Sequence, residues 1–174
     1  MNMEYRMGLL CGMLAGVIVG LLFVVLMKRK KVIDCHFDER QERARGKAFK
    51  YGFFTLAVLV CLYGALDIII GVPCDTLAGT FLCFAAAMTV FAAVCIREDA
   101  YLSLYEKPKK VMVLFAGLAA FNLAVGAGYF LDGTMVEEGL LTFRVCNPAA
   151  GVLLLVIMGI YAIHLRSQRG EEAE

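Results

Sequence analysis

The 174-residue sequence contains no tryptophan, three prolines and two histidines. Its long apolar runs hold almost no charge. Each scarcity excludes something. His36 and His164 lie far apart, and Cys35 with His36 has no second pair of ligands at the spacing a zinc site needs, so neither metal nor cofactor is expected. There is no HExxH, no GxSxG, no phosphate-binding glycine loop and no pair of acids inside an apolar run, which leaves no constellation for an enzyme. No proline falls inside an apolar run and no internal repeat is visible, so the broken helices and inverted repeats common in transporters are not indicated.

What is present is hydrophobic. Apolar residues make up 61% of the chain and mean hydropathy is +0.75, against about 45–50% apolar in an ordinary soluble domain. The charges gather between the apolar runs, the arrangement a bilayer selects because hydrocarbon does not solvate them. The expectation is an all-α integral membrane bundle forming one domain over 1–174, with no separate soluble part and no nucleic-acid role for a net charge of +1.

Five runs are long enough to cross. They are 7–27, 51–72, 77–96, 111–131 and 149–165, the last close to the lower limit of about 17 residues. The first ends in Lys28, Arg29, Lys30 and Lys31 without a small-residue cleavage site, which favours an uncleaved anchor over a signal peptide. Pro73 stops the second run, and the connection to the third is short enough to force an antiparallel hairpin.

The segment 28–50 carries nine of the seventeen Lys and Arg residues. Counted along the chain, the segments outside the runs hold one, nine, none, four, one and two basic residues. That alternation fits five crossings, with the N-terminus outside and the 28–50 loop and C-terminus in the cytoplasm. Tyr5, Tyr51, Tyr101, Tyr105, Tyr129 and Tyr161 fall near the expected interfaces, where an amphipathic ring is at home, and only Tyr63 lies deep.

Several residues stand out against this background. Gly8, Gly12, Gly16 and Gly20 recur every fourth position, lining one helix face for close packing within the bundle or in a homo-oligomer. Ala116, Ala120, Ala124 and Gly128 repeat the spacing in the fourth run and are the natural partner face. Asp67 is the single acid inside a run and is read either as an ion or proton site or as a side chain that reaches the outer interface or accepts a hydrogen bond from Thr76 or Thr80. Asn122 is read as interhelical glue. Cys74 and Cys146 both lie in expected outer loops, where a disulfide persists, and are candidates to pair. Within 28–50, acids precede bases and Glu39 and Arg43 stand four apart, so 38–50 is expected to be a short cytoplasmic helix continuing into the second run. Lys28, Arg29, Lys30, Lys31, Arg40, Arg43, Arg45, Lys47 and Lys50 are then the candidate contacts for anionic lipid or a cytoplasmic protein.

DERQ at 38–41, RGKA at 45–48 and KYGFFTL at 50–56 resemble a group of uncharacterised small multi-span membrane proteins of low-GC Gram-positive bacteria. The resemblance covers about twenty residues plus the layout of runs, and implies a bacterial cytoplasmic membrane without implying an activity. Two functions remain in view. One is a noncatalytic regulatory or scaffold protein that docks a partner or lipid through the basic loop, and the other is a small transporter or channel subunit built around Asp67.

Overall fold

A computed structural model describes residues 36–104 and 106–171, and within the first run residues 7, 8, 11, 14, 15, 18–22, 25 and 26. The chain divides into two units, 1–36 and 37–174. In the first, the described residues between 7 and 26 are helical (α1), and their apolar side chains, such as Leu14, Val19 and Leu22, are exposed. Gly8 and Gly20 have open space where a side chain would sit, whereas Gly12, Gly16 and Lys28, Arg29, Lys30 and Lys31 lie outside the described residues.

The second unit holds α2 (Glu39–Ile70), α3 (Thr76–Arg97), α4 (Pro108–Leu131) and α5 (Cys146–Glu171). The chain is all-α, 81% helical, and these four helices are each long and apolar enough to cross a membrane. That composition is the mark of a multi-pass membrane protein. α2 starts where Asp38 caps it and runs unbroken for 32 residues to Gly71, whose positive φ of 69° ends it two residues before Pro73. At 1.5 Å per residue α2 is about 48 Å long, well beyond a hydrocarbon core of about 30 Å. Its apolar part begins at Tyr51, so the charged turns from Glu39 to Lys50 extend the same rigid helix beyond the apolar layer. The expected continuation of 38–50 into the second run is therefore present.

α4 begins with Pro108 in its first turn, where a missing N–H costs nothing. α5 corrects the sequence reading. It spans 26 residues, not the 17 or so of 149–165, because the helix starts at Cys146 and continues past the last apolar residue through Arg166 and Arg169. Pro148 does not stop it, since it falls in the first turn. The 132–145 connection also contains structure the hydropathy pattern did not announce. β1 (Val136–Glu137) pairs with β2 (Leu140–Leu141), turned by Glu138 and Gly139 at φ 52° and 79°, followed by a 3-10 turn at Phe143–Val145.

α2 packs on α3, α3 on α5, and α5 on α4. What these contacts bury is small: Ala48, Ala78, Ala92 and Ala119 are all at or below 1% exposure. Large apolar side chains face outward instead, among them Phe53, Ile68, Val113, Phe121 and Leu131. This inverts the pattern of a soluble domain, and it is the arrangement that lets helix backbones approach when the surrounding solvent is itself apolar. A compact apolar core joins Ala92, Ile96 and Ile157 to Tyr101, Phe115, Leu153, Ile160 and Tyr161, near the end of the unit where Arg97 terminates α3.

Small residues also make the closest contacts between α4 and α5. α4 meets α5 through Ala119 and Gly126, with the Pro148 ring filling the space a Cβ on Gly126 would occupy. Ala116, Ala120 and Ala124 are exposed and Gly128 half-buried, so that stripe looks away from the α5 contact. The hairpin of α2 and α3 closes with the Tyr63 ring seated over Gly79 and with Gly52 facing Phe91, whose Cβ lies 3.3 Å from where a Cβ on Gly52 would stand.

Candidate functional site

The charged end of the 37–174 unit is built rather than loose. Asp38 Oδ1 accepts from the Gln41 backbone N–H at 2.6 Å, and the Gln41 side-chain oxygen accepts from the Asp38 N–H at 3.3 Å. Together these form a reciprocal capping box that satisfies two donors at the helix start. Gln41 does more than cap. It is 6% exposed, and its amide nitrogen donates to the carbonyl oxygens of Asp99 at 2.8 Å and Leu102 at 3.3 Å. One turn on, Arg45 donates to the Ala100 carbonyl at 3.2 Å while its guanidinium lies 4.1 Å from the Phe37 ring centre. Lys47 pairs with Glu98 at 3.3 Å. The first turns of α2 thus hold down the whole connection from Glu98 to Leu102.

α5 grips the same connection from its other side. His164 Nε2 lies 2.8 Å from Asp99 Oδ1, and Gln168 donates to that oxygen at 3.0 Å. Asp99 has φ of +53°, a conformation few side-chain-bearing residues adopt. In it, the Asp99 carbonyl faces Gln41 and its carboxylate faces α5, so one residue ties α2 to α5. Further along, the Ser103 N–H donates to Glu106 at 3.0 Å, and the Ser103 hydroxyl is buried without a hydrogen-bond partner among the described residues. Tyr101 packs edge-on to Phe115, and burial first, then the nearby Cys95 and Glu106, pushes its hydroxyl pKa up to about 12.

The candidate basic residues therefore split into two groups. Arg45 is turned inward and structural. Arg43 is exposed and pairs with Glu39 at 3.6 Å, an exposed helix pair that contributes little. Arg40, Lys50, Lys107, Lys109 and Lys110 are exposed and make no ion pair among the described residues. Arg40, Arg43, Lys47 and Glu98 line an open polar groove beside the capping box.

The polar residues within the apolar helices are occupied locally. Asp67 is exposed near the opposite end of α2 and its carboxylate accepts from the Val72 N–H at 3.2 Å, not from Thr76 or Thr80. Thr80 bonds back to its own helix at Thr76 and Leu77. Asn122 likewise donates to Leu118 one turn behind it, at 2.8 Å, rather than across to another helix. Neither joins a group of metal-ligating side chains among the described residues.

At this opposite end the two hairpins are stitched by backbone. Leu141 donates its N–H to Pro73 O at 3.0 Å and accepts from Asp75 N–H at 2.8 Å, and the Tyr63 hydroxyl donates to Cys74 O at 3.3 Å. Arg144 holds Thr134 O at 2.9 Å and the Glu137 carboxylate. Cys74 and Cys146 are both half-buried thiols here.

Sequence reasoning missed Gln41 as a positioning residue, although DERQ carried the signal, since an Asp followed three positions later by Gln at a helix start is a capping box. The second task of its amide, holding a loop about sixty residues away, had no local trace. Comparisons with protein-family models, with curated proteins and with solved structures find no match.

Proposed function

We propose that this is a noncatalytic multi-pass membrane protein whose basic end docks an acidic cytoplasmic protein surface, with anionic lipid headgroups as the neighbouring medium. The observation that carries the reading is the separation of roles among the basic residues. Gln41 and Arg45 fix the platform, while Arg40, Lys50, Lys107, Lys109 and Lys110 stay exposed and, among the described residues, unspent on ion pairs. Clustered exposed charge on a rigid support steers association without prior ordering of the surface. The basic end faces the cytoplasm in this reading, and the membrane is the bacterial cytoplasmic one that the resemblance implies.

The alternative, a transporter or channel subunit using Asp67, gains less support. Its carboxylate is exposed and already accepts a backbone N–H at the end of α2.

Site-specific photocrosslinking in intact cells tests the docking face. A photoreactive residue at Arg40 or Lys50 should yield one discrete protein adduct, lost when Lys107, Lys109 and Lys110 are changed together to Gln. The same probe at Phe121, on the apolar face, should not. Adducts to lipid alone from Arg40 and Lys50 would remove the protein-docking reading.

A further inference from the structure

We propose that Cys74 and Cys146 form a reversible disulfide that locks the α2–α3 connection to the first turn of α5. The inference rests on the orientation in Proposed function, which puts this end outside. Three observations place the two residues together. Cys74 bridges Leu141, flanked by the hydrogen bonds Leu141 N–H to Pro73 O at 3.0 Å and Asp75 N–H to Leu141 O at 2.8 Å. The chain then turns tightly at once: Val145 N–H bonds Thr142 O at 3.1 Å, and this 3-10 turn, which packs against α3, ends at Cys146. There its side chain lies close enough to feel the charge of both Cys74 and Asp75.

The rest of this end explains why a covalent tie is useful. The α2–α3 and α4–α5 hairpins meet here through two main-chain hydrogen bonds and short strands, with large exposed apolar side chains such as Ile69, Ile70, Phe130 and Leu131 around them. A bridge from Cys74 to Cys146 closes a loop that includes both α3 and α4, so it constrains the relative position of the two hairpins more than any local contact does.

The chemistry is thiol–disulfide exchange with an extracytoplasmic dithiol–disulfide oxidoreductase. The Cys74 thiolate attacks the oxidoreductase disulfide and forms a mixed disulfide. The Cys146 thiolate then displaces the oxidoreductase sulfur, leaving the Cys74–Cys146 bond. Two electrons pass to the oxidoreductase, and the two thiol protons end on its two sulfurs. Burial first, and the adjacent Asp75 next, hold the Cys74 thiol above its ordinary range, which slows its uncatalysed reactions.

The experiment uses the full chain in intact cells, trapped rapidly with N-ethylmaleimide and digested without reductant for mass spectrometry. The expected result is a linked peptide joining Cys74 to Cys146, lost when reductant precedes digestion and absent in Cys146→Ser. Maleimide on both thiols, or a link from Cys74 to Cys83, overturns the proposal. A parallel Asp132→Cys variant in a Cys74→Ser, Cys146→Ser background is treated with a membrane-impermeant maleimide, Asp132 being exposed at the same end. Labelling there together with free Cys74 and Cys146 sinks the disulfide alone. Absence of labelling shows that the orientation has failed as well.

Discussion

At the residue scale, the closest approaches are made where a side chain is missing, and they are the least tolerant positions. A Cβ on Gly126 would stand 2.7 Å from the Pro148 ring, which is rigid and cannot swing aside, and one on Gly151 would meet Leu123 Cγ at 2.8 Å and the Ala119 carbonyl oxygen at 3.1 Å. Gly126→Ala is expected to lower stability in detergent by about 1–3 kcal/mol through overpacking. Gly117→Ala, in the same helix with open space around it, should be neutral or gain up to about 1 kcal/mol from helix propensity. Thermal unfolding of the two variants side by side separates packing from propensity. Tyr101 supplies a second residue-scale test. Its folded-state pKa of about 12 lies above the unfolded value of 10.0, so its contribution to stability is complete below pH 10 and is lost as pH rises through the window up to about 12. Difference absorbance between the wild type and Tyr101→Phe should show a tyrosine ionising well above pH 10. If the difference spectrum titrated near pH 10, Tyr101 would be exposed to water and the core around Ile96 open.

At the element scale, α2 is the organising helix, and its first turn decides whether the charged end is one body. Removing the Gln41 amide takes away half of the capping box and two part-buried bonds to the 98–102 connection, leaving the Asp99 and Leu102 carbonyls without that donor. Gln41→Ala should therefore cost about 1–3 kcal/mol and raise hydrogen exchange at Ala100 and in the first turn of α2, whereas Arg43→Ala should change neither beyond a few tenths of a kcal/mol. Equal exchange in the two variants would mean that the connection holds itself. How far such features were legible follows from the range of the interactions. Hydropathy and proline placement read the hairpin of α2 and α3 and the continuation of 38–50, because those depend on neighbours in sequence. The start of α5 was placed three residues late, since Asn147 and Pro148 look like a loop although Pro is at ease in a first turn. The Glu138–Gly139 hairpin was hidden inside a segment judged only by its lack of hydrophobicity. The second role of Gln41 and the inward turn of Arg45 depend on partners more than fifty residues away, so no local pattern reports them. Ala119 and Gly126, which meet α5, fell outside the regular small-residue spacing that the sequence displays at Ala116, Ala120 and Ala124, so that spacing did not report this contact.

At the scale of the whole molecule, the two ends of the 37–174 unit differ in charge as well as in architecture. One end carries Arg40, Arg43, Arg45, Lys47, Lys50, Arg97, Lys107, Lys109, Lys110, Arg166 and Arg169, tied together by Gln41, Asp99 and His164. The other carries Asp67, Asp75, Asp132, Glu137 and Glu138 with Arg144 as its one described basic residue, already paired to Glu137. Translocation disfavours lysine and arginine far more than acids, so the first end should stay in the cytoplasm. The hydrogen bonds from Gln41 to the 98–102 connection, and from α5 to Asp99, require that 38–50, 98–107 and the end of α5 share one side whatever that side is. Fusions therefore give a constrained answer. A fluorescent protein that folds only in the cytoplasm should be bright after residue 171 and dark after Asp132, and a phosphatase active only outside should show the opposite pattern. Bright fluorescence after Asp132 with phosphatase activity after 171 would turn the molecule over and expose the basic platform to the outside, ending the case for a cytoplasmic partner. If both positions reported the same side, α5 would not cross at all, in conflict with a 26-residue helix whose far end reaches Asp99.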